Sequence, residues 1–158
     1  MTTFLNAEGL GFTNLSADLP CGLFLTRQYE NAAFLICTAS QKFAVCLEKS
    51  SGFNAVELEA TNEAWRGCFV SNVEVQADLS TAFTSAQQDI AAGDLVINKD
   101  GVFVASRPVR IGQGPHLVRW TDAPTLGSGT ITGAFNRWRV IRRENDNLQI
   151  LKEVDSEA

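Results

Sequence analysis

Histidine, methionine and tyrosine each occur once in this chain, and proline four times in 158 residues. A lone histidine rules out metal sites that need two imidazoles on one helix face. The four cysteines, Cys21, Cys37, Cys46 and Cys68, include no CxxC pair, so the nucleus of a compact zinc site is missing. No apolar run approaches the ~20 residues that carry a helix across a bilayer. The opening MTTFLNAEGLGF has neither the basic nor the apolar region of a secretory signal. Also missing are GxSxG, GxGxxG and GxxxxGK, the glycine frames of nucleophile elbows and phosphate cradles. These absences lead us to expect a soluble protein made in a reducing cytoplasm, with no membrane, metal or cofactor.

What is present points to a packed core. Ten Phe, three Trp and an apolar fraction of 45% exclude a disordered chain. The length suits one domain with a substantial core. Net charge is −5, with most of the basic residues in the last third and Arg outnumbering Lys. Net acidity argues against a general nucleic-acid binder, whose affinity comes largely from neutralising phosphates. Small buried thiols are the simplest reading of the cysteines. Cys37 and Cys46 are the first pair to test for a bond, because a hairpin between them would set them face to face.

Short alternating segments dominate the chain. Residues 1–20 read as an arm or irregular edge with one short strand at 9–12. Residues 22–28, 32–38 and 42–48 form a three-strand meander. Residues 32–37, including Leu35, are apolar on both faces, as a doubly covered central strand or a subunit contact requires. Val56 and Leu58 alternate with Glu57 and Glu59, and residues 68–76 repeat that pattern. Residues 80–90 are the best helical candidate, weakened by Thr81, Thr84 and Ser85. Residues 94–98 and 102–107 flank Lys99-Asp100-Gly101 as a hairpin with a three-residue loop whose Asp-Gly supplies left-handed backbone. Leu95 and Ile97 point one way along its first arm and Val96 and Asn98 the other. Residues 137–143 and 148–154 form the last hairpin. The reading is an all-β domain over 21–154, with roughly ten short strands in a sandwich, jelly roll or barrel and at most one short helix. An acidic tail follows at 155–158.

Three kinds of site are open. His116 suits acid–base work near neutral pH, with Asp122 near enough in sequence to orient it. Paired carboxylates such as Glu57 and Glu59, with Glu63 beyond, would suit glycoside hydrolysis. Both point to a small hydrolase. Trp65, Trp120 and Trp138, if exposed, would suit a carbohydrate- or other ligand-binding module. The third kind is the cluster NRWRVIRR at 136–143. Alternation puts Arg137, Arg139 and Arg143 on one strand face, and Trp138, Val140 and Arg142 on the other. The arginines can pair with carboxylates on a solvated face, grip an acidic protein neighbour, or hold phosphates between stacked bases. Arg107, Arg110 and Arg119 would extend the patch if their strands lie nearby.

Residues 91–105, AAGDLVINKDGVFVA, resemble bacteriophage head-decoration, or capsid cement, proteins. The matching positions are Ala92, Gly93, Asp94, Leu95 and Val96, then Asp100, Gly101 and Ala105. The resemblance implies a small β domain that reinforces an icosahedral shell from outside, made in the host cytoplasm and carried on the virion. On it we expect a non-enzymatic structural protein, acting as a homo-oligomer on a capsid or other protein assembly, with nucleic acid an unlikely partner. Its candidate interface is Phe4, Phe12, Leu35, Arg137, Trp138, Arg139, Arg142 and Arg143. The carbohydrate module and the hydrolase are the alternatives.

Overall fold

The computed structural model describes residues 10–16, 19–26, 32–38, 42–58, 62–84, 86–108, 113–121, 125–126, 129–130 and 133–157. Its first sheet holds β1 (Leu10–Leu15), β2 (Gly22–Thr26), β3 (Ala32–Thr38), β4 (Lys42–Cys46), β5 (Ala55–Glu57) and β6 (Asn62–Ser71), ordered β1-β6-β2-β3-β4-β5. After β7 (Val73–Ala77) come β8 (Ala82–Phe83), β9 (Leu95–Asn98), β10 (Gly101–Ser106) and β11 (His116–Thr121). A two-stranded ribbon, β12 (Thr125–Leu126) with β13 (Gly129–Thr130), precedes β14 (Gly133–Phe135), β15 (Arg137–Glu144) and β16 (Asn147–Asp155). The second sheet runs β11-β10-β9-β14-β8 and the third β16-β15-β7. The chain is all-β, and among the described residues three antiparallel sheets form, with the short ribbon beside them, and do not close into a barrel.

The meander forms as its pattern dictates, and both faces of β3 are covered within the chain. Ala33, Leu35 and Cys37 join the main core, whereas Phe34 and Ile36 join a second cluster with Leu15, Phe24, Ala44 and Leu58. A subunit contact is therefore not needed to explain this doubly apolar strand. The same parity separates two cysteines. Cys37 stands opposite Phe43 and Cys46 opposite Phe34, an odd offset that puts the thiols on opposite faces of the sheet. The expected face-to-face pair does not form.

Residues 68–76 are not one strand. At Asn72 the backbone turns left-handed, φ 58°, and the chain passes from β6 in the first sheet to β7 in the third. Asparagine tolerates that conformation better than most side chains. The expected helix at 80–90 is also replaced. A short 3-10 turn, Leu79–Thr81, is capped by Asp78 and followed by β8, whose buried Phe83 lies opposite Ala134. Thr81 Oγ1 donates to the Asp78 carbonyl, and Gln87 Oε1 accepts the Thr84 N–H. Local side-chain bonds of this kind compete with a helix.

The hairpin at 91–108 sits where the three sheets meet. Its loop has two residues, since Asn98 pairs with Gly101, and Asn98 Oδ1 accepts the Asp100 and Gly101 N–H groups. Of the three residues Lys99, Asp100 and Gly101, only Gly101 takes a positive φ, at 155°. Leu95 and Ile97 face the main core and Val96 the opposite side, as alternation requires. Asp94 is fully buried. Its Oδ2 accepts the Ala91 N–H at 2.8 Å, and its Oδ1 accepts Asn136 Nδ2 at 3.1 Å and the Ser156 hydroxyl. One carboxylate thus joins the start of β9 to both ends of the β15–β16 hairpin. Three donors satisfy oxygens that burial would otherwise leave unpaired.

Candidate functional site

The outer face of the third sheet gathers the arginine cluster. Arg137 Nη2 meets Asp78 Oδ2 at 3.0 Å, Arg139 Nε donates to Gln76 Oε1 at 2.9 Å, and Arg143 Nε meets Glu74 Oε2 at 2.9 Å. On the other side of β15, Arg137 lies opposite Asp155 and Arg139 opposite Glu153. The positive row is therefore flanked by acidic and amide groups on both neighbouring strands. Exposed pairs like these contribute only about 0–1 kcal/mol each to stability. Their effect is to hold the side chains in fixed register. Between the rows lies an open cleft of about 530 Å³, bounded by Gln76, Asp78, Arg137, Arg139, Glu153 and Asp155.

Asp78 anchors one end of this face. Ser80 donates from its hydroxyl at 2.7 Å and its N–H at 3.0 Å, and these bonds hold the carboxyl below its ordinary range, with Arg137 adding to the effect. A lowered folded-state pKa means the stabilisation is present above the ordinary aspartate range. It is lost as pH falls through the lowered value. Ser80→Ala is expected to move the Asp78 titration, followed by carboxyl NMR, back toward the ordinary value. An unchanged titration would assign the shift to the Ser80 N–H, which the substitution keeps, and to Arg137.

Not every residue singled out in the sequence lies on this face. Leu35 is fully buried and Trp138 is 2% exposed, so both are core residues rather than exposed anchors. Trp138 Nε1 donates to the Gly93 carbonyl at 2.8 Å. Arg142 is half-buried on the Trp138 side of β15. Phe4 lies outside the described residues, and Phe12 belongs to β1, opposite Cys68, with its side chain undescribed. Arg119 is engaged on the second sheet, where Nη2 donates to the Asp100 carbonyl and the guanidinium stacks 5.8 Å from the Phe103 ring centroid. Arg107 is exposed beyond β10, and Arg110 lies outside the described residues.

The enzyme and carbohydrate constellations are not assembled among the described residues. His116 is exposed, with its ring 5.9 Å from that of Phe43 and its carbonyl accepting the Ser106 hydroxyl. Asp122 and Glu59 lie outside the described residues, Glu57 is exposed, and the Glu63 side chain is undescribed. Trp120 is 6% exposed and offers no stacking platform, while the Trp65 side chain is undescribed. No group of three or more His, Cys, Asp or Glu that could hold a metal ion occurs among the described residues. No helix there is long and apolar enough to cross a membrane.

One contact escaped the sequence. Lys152 Nζ reaches Glu48 Oε1 at 2.8 Å, tying the third sheet to the end of β4, and Glu48 Oε1 also accepts the Ala33 N–H. The β15–β16 register shifts between Val140 and Ile141, leaving Leu151 as the extra residue, and Lys152 comes opposite inward-facing Val140. A bulge resets alternation without a local sequence signal.

A family model described as "Y4lG: Uncharacterised protein y4lG" matches residues 14–158. No curated protein and no solved structure matches the chain.

Proposed function

The chain belongs to the y4lG family, and from the outer face of its third sheet we propose a non-enzymatic structural protein that docks on a virion shell or kindred protein assembly. The observation that carries this reading is the charge lattice of Arg137, Arg139 and Arg143 set between Asp78, Gln76, Glu74, Glu153 and Asp155. Side chains already held in place lose less freedom when a partner covers them, which lowers the cost of association. Rows of alternating charge also specify the register of a patterned protein surface, and they act on specificity more than on raw affinity. A nucleic-acid backbone calls for surplus positive charge, and here the carboxylates compensate the arginines. The virion setting, with synthesis in the host cytoplasm and assembly as a homo-oligomer, follows from the resemblance of residues 91–105 to head-decoration proteins.

The test combines mass measurement of the purified chain with co-sedimentation against candidate shells. Pelleting with one shell is expected, weakened at least about tenfold by Arg139→Glu with Arg143→Glu, a loss of about 1.4 kcal/mol or more. Higher salt is expected to weaken it further, because rim charges are screened. A monodisperse monomer that pellets with no shell would sink the proposal.

A further inference from the structure

We propose that Cys21 and Cys37 are a disulfide-forming pair, a modification site that closes across β2 and β3 by exchange with a low-molecular-weight disulfide such as oxidised glutathione. The ladder of these strands sets Leu23 opposite Leu35 and Gly22 opposite Ile36, so its next step sets Cys21 opposite Cys37. Both thiols face the main core, with Cys37 fully buried and Cys21 partly buried against it. Directly opposed residues of an antiparallel pair hold their Cβ atoms ~4.5–5.5 Å apart, and a disulfide spans ~3.5–4.5 Å. A small closure of the strand ends makes up the difference, and Cys21 lies one residue beyond β2, where the ladder ends.

The other cysteines are badly placed to compete. Cys46 lies on the opposite face of the sheet. Cys68 stands opposite Leu25 on β2, four positions along the ladder from Cys21, or ~13 Å at ~3.3 Å per residue.

Burial pushes the Cys37 thiol well above its ordinary range, and neighbouring Cys21 adds to the effect. The more accessible Cys21 is therefore the first nucleophile. It gives up its proton, and its thiolate attacks one sulfur of oxidised glutathione. That S–S bond breaks, and one glutathione leaves and takes up a proton. Cys37 then loses its proton and attacks the Cys21 sulfur, expelling the second glutathione, which is protonated in turn. The protein loses two electrons and two protons, and the glutathione disulfide gains them. The Cys21 S–H contact with the Trp120 carbonyl, 4.0 Å in the thiol form, is given up. The bond thus forms at the seam between the first sheet and β11, beside the Phe43–His116 ring contact.

The experiment equilibrates the full chain in glutathione buffers of rising oxidised fraction, then quenches, alkylates and maps it without reduction. The expected result is one internal link, Cys21 to Cys37, with the intact mass lower by two hydrogen atoms. Cys46→Ser and Cys68→Ser should keep that link, and Cys37→Ala should retain glutathione on Cys21. The unfolding midpoint of the wild-type chain should rise on oxidation and fall again with reductant. A chain that stays reduced in excess oxidised glutathione would overturn the proposal. So would one that holds only a glutathione adduct, or that links Cys21 elsewhere. The wild-type map decides the matter even if a variant folds poorly.

Discussion

Trp138→Ala is expected to lower folding stability by about 3–5 kcal/mol, the cost of emptying a large buried aromatic site. The side chain is 2% exposed and belongs to the core cluster that draws on all three sheets. Total stability for a domain of this kind is about 5–15 kcal/mol, so the loss is a large fraction of it. Trp138→Phe separates packing from hydrogen bonding. It keeps an aromatic ring, removes the Nε1–H donor to the Gly93 carbonyl, and is expected to cost about 1–3 kcal/mol. Urea denaturation of both variants measures the two effects. A loss under about 1 kcal/mol for Trp138→Ala would show that the third sheet is not packed through this residue.

Gly93→Ala is expected to cost about 3 kcal/mol from two separable causes, left-handed backbone at ~1–2 kcal/mol and overpacking at ~1–3 kcal/mol. Gly93 has φ 95°, and a Cβ there would come within 2.5 Å of the Phe53 ring. The ring has little room to retreat. Phe53 is buried, itself left-handed at φ 55°, and its carbonyl accepts the Arg107 N–H at 2.9 Å. Gly93 in turn donates to the Ala105 carbonyl at 2.7 Å, so any shift disturbs the entry to β9 and the exit of β10. A double-mutant cycle with Phe53→Ala tests the account. The cost of Gly93→Ala should shrink by about 1 kcal/mol or more in that background. Full additivity would leave backbone strain as the only cause.

These residues show how far the sequence could be read. The stretch AAGDLV carries Gly93 and Asp94, and the hairpin was legible from alternation, though its loop is one residue shorter than its turn chemistry suggested. Its position as the junction of three sheets was not. Two of the three donors to Asp94 come from Asn136 and Ser156, 42 and 62 positions away. Trp138 illustrates the same limit. Its placement opposite the arginines on β15 was readable, but a tryptophan on one face of a strand reads alike whether that face meets solvent or a second sheet. The arginine row was legible as a row. Its partners on β7 depend on a pairing across about sixty residues, and no local pattern announces it.

The sequence by itself determined the local terms. Period-two alternation, turn residues and apolar content settled an all-β domain, the meander of β2–β4, and which arginines share a face. Each depends on residues a few positions apart, where chain geometry leaves few choices. Tertiary structure alone decided how strands from distant segments pair, and so which groups meet. It placed Asn72 as the crossing between sheets, turned Lys152 inward through the bulge at Leu151, and gave each outer arginine a polar neighbour. Those outcomes follow from burying several apolar faces at once, and that requirement applies to the whole chain.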